Sequence, residues 1–348
     1  MKEFSVDRNF WNVAKGIGIF LVVLGHINTP LTDYIYLFHM PFFFFVSGYL
    51  YNEEKYGDNP YQLLASKIKS SWMKYVIVMS GFVLVHNLFV KLQIAEPAAN
   101  YYSKSELLLK LSEAVLGMGS EFLAGPLWFI PVSVITSVML GFIVCFSRTI
   151  QRKTKNVVWK YAFQVVVVGL CTVFGYILMT RRCVLAANMH ISFVVLPFTW
   201  GGYILRNLKW DKQFLHPVIA VVCAMILFLT NMNYKLELIL FMHVYPAMHL
   251  VAFCGIYLCL YLAKLMLWIK PCRTLFDWAG KASLEIMVTH YAIFRLFDWV
   301  MAHIFCPEDP ITKYLTLPNA FPELTLVYIF IGFFVPLLVY VGFKKIRK

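Results

Sequence analysis

Three ionisable side chains occur in two apolar segments near the start of the chain. Lys15 and His26 are eleven residues apart in the first segment, and His39 follows in the second, after a short turn. On a helix, eleven residues span about 16 Å and leave the two side chains roughly 20° from alignment. One helix stripe therefore carries an ammonium group at one end and an imidazole at the other, with His39 expected at a depth similar to that of His26.

These residue types are suited to acid–base chemistry inside a membrane. A buried lysine costs about 2.5 to 3.5 kcal/mol on insertion scales, so Lys15 is expected to face a cavity or a partner. It also lies near a predicted membrane boundary, where a lysine can instead extend to the headgroups. A neutral imidazole, with an unperturbed pKa of about 6.5, can accept a proton near pH 7. His39 either orients His26, binds a substrate or bonds a main-chain carbonyl.

The composition indicates an integral membrane protein. Hydrophobic residues make up 60% and charged residues 14% of the chain, whereas soluble domains are roughly one-quarter charged. About ten apolar segments are long enough to cross a hydrocarbon core of about 30 Å. They are residues 10–27, 34–51, 72–94, 126–147, 160–180, 184–205, 215–232, 247–268, 283–303 and 322–343. We therefore predict an all-α, polytopic membrane protein with one transmembrane domain over residues 1–348.

The distribution of basic residues predicts the orientation. The net charge is +13, and most lysines and arginines fall on alternate loops, which places both termini in the cytoplasm. The predicted location is the inner or plasma membrane, and Arg295 is among the few basic residues expected on the outer side. The partner is the lipid bilayer and not nucleic acid, because no basic groove with stacked aromatic residues is present. In the outer loop, residues 103–116 predict an amphipathic helix that either covers a cavity or caps the bundle.

Several blocks along the chain resemble the membrane acyltransferase-3 family. That family has a lysine or arginine, ten residues and then a histidine in its first helix, and a phenylalanine-rich segment ending in Ser-Gly in its second. Here these are Lys15 to His26 and Phe38 to Gly48, and later blocks are Gly125 to Pro131, Leu196 to Leu205 and Gly280 to His290. The Phe-His-Met-Pro segment is most similar to the fucose 4-O-acetylase-like branch. One departure is Asn12, where the family usually has aspartate.

The resemblance implies an O-acyltransferase that moves acetyl from acetyl-CoA to a sugar hydroxyl of a cell-surface glycan or its lipid-linked precursor. Acetyl-CoA is then a donor substrate, and no permanently bound cofactor is expected. The expected catalytic residues are His26 and His39, the donor is expected at Asn12, Lys15, Ser47 and Gly48, and the acceptor at Trp128 and His290. No metal site is predicted, because the cysteines and histidines lack metal-ligand spacing.

Structural interpretations remain for three of these residues. Ser47 can be a nucleophile, but nothing at helical spacing supplies its base, so we favour a small-residue contact between helices. Trp128 is equally explained as an interfacial anchor. His290 either lines a cavity or is a hydrogen-bonded core residue. On the family pattern, the substitution Asn12→Asp is expected to be tolerated.

The main alternative function is transport of small or glycolipid substrates without acyl transfer. Intramembrane lysine and histidine residues also occur in proton-coupled carriers. However, the predicted spans contain almost no aspartate or glutamate, and no pair of glycine- or proline-interrupted segments indicates inverted repeats. A relative that has lost catalysis is favoured only by Asn12.

Overall fold

The described chain consists of helices and their connections. A computed structural model describes residues 8–27, 29–95, 99–119, 121–208, 214–233, 247–309, 311–314 and 320–346. No β-strand occurs in these ranges. The predicted all-α class is therefore confirmed.

Long and short helices alternate along the chain. The α-helices are α1 Arg8–Gly25, α2 Thr32–Tyr36, α3 His39–Tyr49, α4 Glu53–Tyr56, α5 Pro60–Lys67, α6 Met73–Lys91, α7 Lys104–Val115, α8 Phe129–Thr154, α9 Val157–Thr180, α10 Met189–Asn207, α11 Pro217–Asn233, α12 Ala247–Met266, α13 Lys270–Lys281, α14 Ser283–Phe305, α15 Thr325–Ile329 and α16 Val335–Ile346. The segments Ile68–Trp72 and Phe330–Phe334 are π-helical, and Phe122–Trp128, Ala186–Asn188, Ile311–Tyr314 and Pro322–Leu324 are 3₁₀-helical.

Several helices are long and apolar enough to cross a membrane. In the described part of the chain, five meet this condition: Pro60–Lys91, Phe122–Thr154, Val157–Thr180, Ala247–Met266 and Pro322–Ile346. A further apolar helix, Pro217–Met232, is shorter. The chain is an all-α membrane protein, and the count of about ten spans stays a prediction.

The chain divides into two compact units. The first unit comprises Met1–Tyr36, Val76–Leu127 and Cys259–Lys348, and the second comprises Leu37–Tyr75 and Trp128–Leu258. This division does not test the prediction of a single domain over residues 1–348, which stays a prediction.

The predicted second span, residues 34–51, is not one continuous helix. It is interrupted at Leu37 and Phe38, where the backbone of Phe38 has φ −149° and ψ −12°. Pro41 explains the break, because its ring would clash with the carbonyl of Leu37 and it lacks the N–H that would bond it. His39, predicted within a continuous span over residues 34–51, is therefore the first residue of α3.

In the second unit, α3 and α10 approach until their backbones touch. A Cβ atom on Gly48 would lie 1.7 Å from the carbonyl oxygen of Thr199, and one on Gly202 would lie 1.9 Å from that of Phe45. No side chain larger than hydrogen fits at either position, so each helix contributes a glycine to the close approach.

Charged side chains in the same unit are paired around Glu53, the first residue of α4. The ammonium group of Lys160 donates to Glu53 Oε1 at 2.7 Å, and the hydroxyl of Tyr203 donates to Oε2 at 2.6 Å. Arg148 donates to the main-chain carbonyl of Glu53 at 3.1 Å and to the carboxylate of Asp58 at 2.9 Å. We call Glu53, Asp58, Arg148, Lys160 and Tyr203 the Glu53 cluster. The carboxylates of this cluster form hydrogen-bonded ion pairs with its cations.

The connection between α6 and α8 contains the predicted amphipathic helix. The prediction for residues 103–116 is confirmed by α7, which begins after Ser103 with a reciprocal capping box to Glu106. Tyr102 donates its hydroxyl to Glu121 Oε1 at 3.0 Å, and the ring of His86 lies 3.0 Å from Oε2. These contacts fasten both ends of the loop to α6.

Candidate active site

Two helices of the first unit, α1 and α13, form the base of the candidate site. A Cβ atom on Gly16 would lie 2.0 Å from the carbonyl oxygen of Phe276, and one on Gly280 would lie 1.8 Å from that of Asn12. The two backbones therefore touch along the first half of α1. This contact brings the polar residues of both helices to the same place.

Asn12 and Asp277 are joined by this contact. The amide nitrogen of Asn12 donates to Asp277 Oδ1 at 2.9 Å, and Lys281 donates to the other carboxylate oxygen. The family pattern places a carboxylate at position 12, and here Asp277 provides one beside it. The charge that Asn12 lacks is therefore present on the opposite helix.

Lys15 lies one turn further along α1. It is half-buried, and the charges of Asp277 and Lys281 act on its ammonium group. Among the described residues, however, its ammonium group has neither a hydrogen-bond acceptor nor an ion-pair partner. A half-buried cation without a partner is able to bind an anionic group of a ligand.

His26 and His290 meet at the far end of α1. The two ring centroids are 5.1 Å apart with the planes at 66°. His26 Nδ1 lies 2.8 Å from the carbonyl oxygen of Val22, and His290 Nδ1 lies 2.9 Å from that of Ile286. Because a carbonyl oxygen only accepts, each Nδ1 carries the proton and donates.

Because the proton of each ring is on Nδ1, neither Nε2 carries a proton, and both Nε2 atoms can accept one. His290 is fully buried, and its Nε2 has no hydrogen-bond partner among the described residues. His26 is only half-buried, and no described residue bonds its Nε2. Since the neutral ring accepts at the nitrogen that carries no proton, His26 presents a basic nitrogen that a substrate can reach.

Two tyrosines also contact the ring of His26. The centroid of Tyr36 lies 6.2 Å away and that of Tyr291 lies 5.8 Å away, with the plane of Tyr291 at 80° to the imidazole. Tyr291 in turn meets Phe122, which lies between α7 and α8, with centroids 6.0 Å apart. The imidazole pair is therefore surrounded by aromatic side chains.

The remaining predicted site residues belong to the second unit. His39 is buried at the start of α3. The hydroxyl of Ser47 lies 3.0 Å from that of Ser137, which itself donates to the carbonyl of Ser133. A serine hydroxyl is not a base, so this arrangement does not activate Ser47 as a nucleophile. The packing of Gly48 against α10 fits the small-residue interpretation, and Trp128 is a half-buried residue directly before α8.

Sequence reasoning missed polar residues on α13 and α14. Arg295, expected on the outer side, is fully buried, as is Asp298 one turn later. The sequence contained evidence for this pair, because an arginine and an aspartate three residues apart share one face of an apolar helix. Asp277 had a weaker signal, since only its helical spacing from Lys281 marks it.

Among the described residues, no group of three or more histidine, cysteine, aspartate or glutamate side chains is placed to hold a metal ion. The polar groups along α1 are instead Lys15 and the Asn12–Asp277 pair near its start and the two imidazoles at its end. Such a set can bind an anion and accept a proton.

Comparison with known proteins decides the class of the protein. A family model described as an acyltransferase domain, that of the acyltransferase-3 family, matches residues 8–342. The chain belongs to the acyltransferase-3 family. It is therefore a membrane acyltransferase, and the transport alternative is not needed. The match does not distinguish branches, so the fucose 4-O-acetylase-like branch stays a prediction. No curated protein sequence and no solved structure shows significant similarity to the chain.

Proposed function

We propose that this acyltransferase-3 protein transfers acetyl from acetyl-CoA to a sugar hydroxyl, on a cell-surface glycan or its lipid-linked precursor. The observation that carries the proposal is the pair of imidazoles, His26 and His290, both with Nδ1–H committed to main-chain carbonyls. Acyl transfer from a thioester to a hydroxyl requires a base for the hydroxyl proton. His26 supplies it.

In the proposed reaction, the acceptor oxygen attacks the thioester carbonyl carbon while its proton moves to His26 Nε2. The new C–O bond forms, the carbonyl electron pair moves to oxygen, and a tetrahedral oxyanion results. When this collapses, the C–S bond breaks and the thiolate takes the proton from the imidazolium of His26. The products are the ester and free coenzyme A.

His290 stabilises the proton on His26. A second imidazole in ring contact offers a buried acceptor, its Nε2, without carrying a charge of its own. Two adjacent imidazoles resist double protonation, because like charges at this distance repel. One proton is therefore held by the pair.

Lys15 binds the donor. Its ammonium group has no partner among the described residues. Lys15 is eleven residues before His26, which directly follows α1, and this spacing corresponds to a helical rise of about 16 Å. A pantetheine arm in extended form covers a comparable distance. With a donor phosphate at Lys15, the pantetheine arm follows α1 and brings the thioester to His26, and Asp277 holds Asn12 beside Lys15. For His39, Ser47, Gly48 and Trp128, contact with a substrate stays a prediction.

The experiment is acyl transfer by purified protein in lipid nanodiscs, with labelled acetyl-CoA as donor and whole-cell glycan as acceptor. His26→Gln removes the basic nitrogen, so transfer is expected to fall by at least about 100-fold, the usual contribution of a general base. Longer acyl-CoA donors in the same assay define the acyl group.

His303→Gln is the matched control. His303 lies on α14, and its Nδ1 also bonds the carbonyl four residues earlier, at 2.8 Å, but the side chain is exposed. Transfer by this variant is expected to equal that of the unmodified protein. Retained transfer in His26→Gln would remove the base assignment.

A further inference from the structure

Next to the imidazole pair, two residues of α14, Arg295 and Tyr291, form a polar contact. Arg295 Nη2 donates to the hydroxyl of Tyr291, one turn earlier, at 3.4 Å. The guanidinium carbon lies 5.6 Å from the centroid of Tyr291 and 4.7 Å from that of Phe122. Since the ring of Tyr291 also contacts His26, Tyr291 links the guanidinium to the base.

The direction of this hydrogen bond determines what Tyr291 can do. A guanidinium group has only donors, so the phenol oxygen accepts and its own proton is not used. No described residue accepts that proton. A neighbouring positive charge polarises a hydroxyl and strengthens the bond that it donates. Tyr291 is half-buried, so a substrate can reach the hydroxyl.

The burial of Arg295 needs an explanation, because an arginine within an apolar helix is expensive to bury. Its side chain is fully buried. Contact with two aromatic faces offsets part of this cost. A charge retained here despite the remaining cost is well placed to act on the group it contacts.

Other groups around His26 are less suited to donate. His290 already uses its proton on the carbonyl of Ile286. The ring of Tyr36 lies further from the imidazole than that of Tyr291, and the rings against which Arg295 stacks are those of Tyr291 and Phe122. Tyr291 is therefore the donor that combines contact with His26, an available proton and a neighbouring guanidinium.

We propose that the Tyr291 hydroxyl donates a hydrogen bond to the oxyanion of the tetrahedral intermediate, and that Arg295 is the residue that positions and polarises it. This inference rests on the proposed function. While the acceptor proton moves to His26 Nε2, the carbonyl electron pair moves to oxygen and is met by the Tyr291 O–H. Tyr291 keeps its proton throughout, and Arg295 donates to the phenol oxygen.

The first test is Tyr291→Phe, which removes one oxygen atom and keeps the ring. Loss of a single oxyanion donor lowers kcat by about 100-fold or more. We expect this fall with KM for acetyl-CoA and for acceptor unchanged. Tyr340→Phe, at a half-buried tyrosine of α16, is the matched control and is expected to keep its kcat. A kcat within about threefold of the unmodified protein in Tyr291→Phe would overturn the proposal.

The second test separates positioning from simple packing. Arg295→Lys keeps a charge but loses the planar stack, and it is measured alone and together with Tyr291→Phe. If Arg295 acts through Tyr291, its substitution lowers kcat in the unmodified protein and has no further effect in the Tyr291→Phe background. Equal effects in both backgrounds would show that Arg295 does not act through Tyr291.

The outcomes also distinguish this inference from the proposed function. Full activity of Tyr291→Phe with an inactive His26→Gln leaves the base assignment intact and removes only the Tyr291 role. Absence of any transfer from thioesters by the unmodified protein would remove both.

Discussion

Close glycine contacts between helices occur in both units, but the polar groups of the candidate site and those of the Glu53 cluster differ in how they are paired. In the first unit, glycines of α1 and α13 bring two backbones together, and in the second unit glycines of α3 and α10 do the same. In the second unit, the Glu53 cluster pairs every one of its charges. In the first, Lys15 and both imidazole Nε2 atoms have no partner among the described residues.

This difference distinguishes buried polar groups that stabilise the fold from those that are available to bind a ligand. A buried polar group without a partner costs about 1 to 3 kcal/mol, so it is retained where a ligand supplies the partner. A paired network carries no such cost and mainly fixes its elements relative to one another. On the proposed function, the chemistry lies at the imidazole pair of the first unit, and the Glu53 cluster has an anchoring role.

The largest expected effect is on stability, from Glu53→Gln. The substitution leaves the ammonium of Lys160 buried without its counter-ion, and breaking such a pair costs about 3 kcal/mol. The free energy of unfolding in mixed micelles is expected to fall by this amount, while kcat of the folded fraction stays unchanged. Glu54→Gln, at the exposed neighbouring position, is the control. Loss of kcat in folded Glu53→Gln would contradict the comparison.

The substitution Lys15→Ala is expected to change donor binding and to leave stability unchanged. Removing an unpartnered cation does not lower the free energy of unfolding, but it raises KM for acetyl-CoA by about tenfold, or about 1.4 kcal/mol. KM for the acceptor is expected to stay the same. Lys74→Ala, at an exposed position of α6, serves as the control. An equal rise in both KM values would count against donor binding at Lys15.

The smallest effect is expected from Asn12→Asp. The family pattern predicts tolerance, but the hydrogen bond to Asp277 changes this expectation, because two carboxylates would then lie about 3 Å apart and repel. We expect a loss of about 1 kcal/mol in transition-state stabilisation, measured as kcat/KM for acetyl-CoA. The double variant Asn12→Asp, Asp277→Asn restores one amide and one carboxylate and should recover the loss. A double variant no better than the single one would show that Asp277 does not carry this charge.

Local patterns in the sequence predicted local structure well. The apolar run from residue 10 predicted α1, and the leucines after Ser103 predicted α7. The interruption before His39 was missed although Pro41 was visible, because hydropathy alone treats residues 34–51 as one apolar run. The π-helical segments carry no comparable signal, since their composition is that of an ordinary apolar helix.

The candidate site was predicted in part. Lys15 and His26 were found because they share one helix and their spacing is local. Their surroundings depend on residues far away in sequence: Asp277 lies 265 positions from Asn12, and His290 reaches His26 from α14. A pattern within one segment contains no information about which helix packs beside it, so Asp277, Tyr291 and Arg295 required the tertiary structure.

The reciprocal glycines of α1 and α13 also limit how the molecule can move. A shift of one helix by a single residue would drive a Cβ atom into a carbonyl oxygen at Gly16 or Gly280, so neither helix can slide like a piston against the other. An opening that admits substrate or releases product by sliding of one helix along another therefore has to occur in other elements.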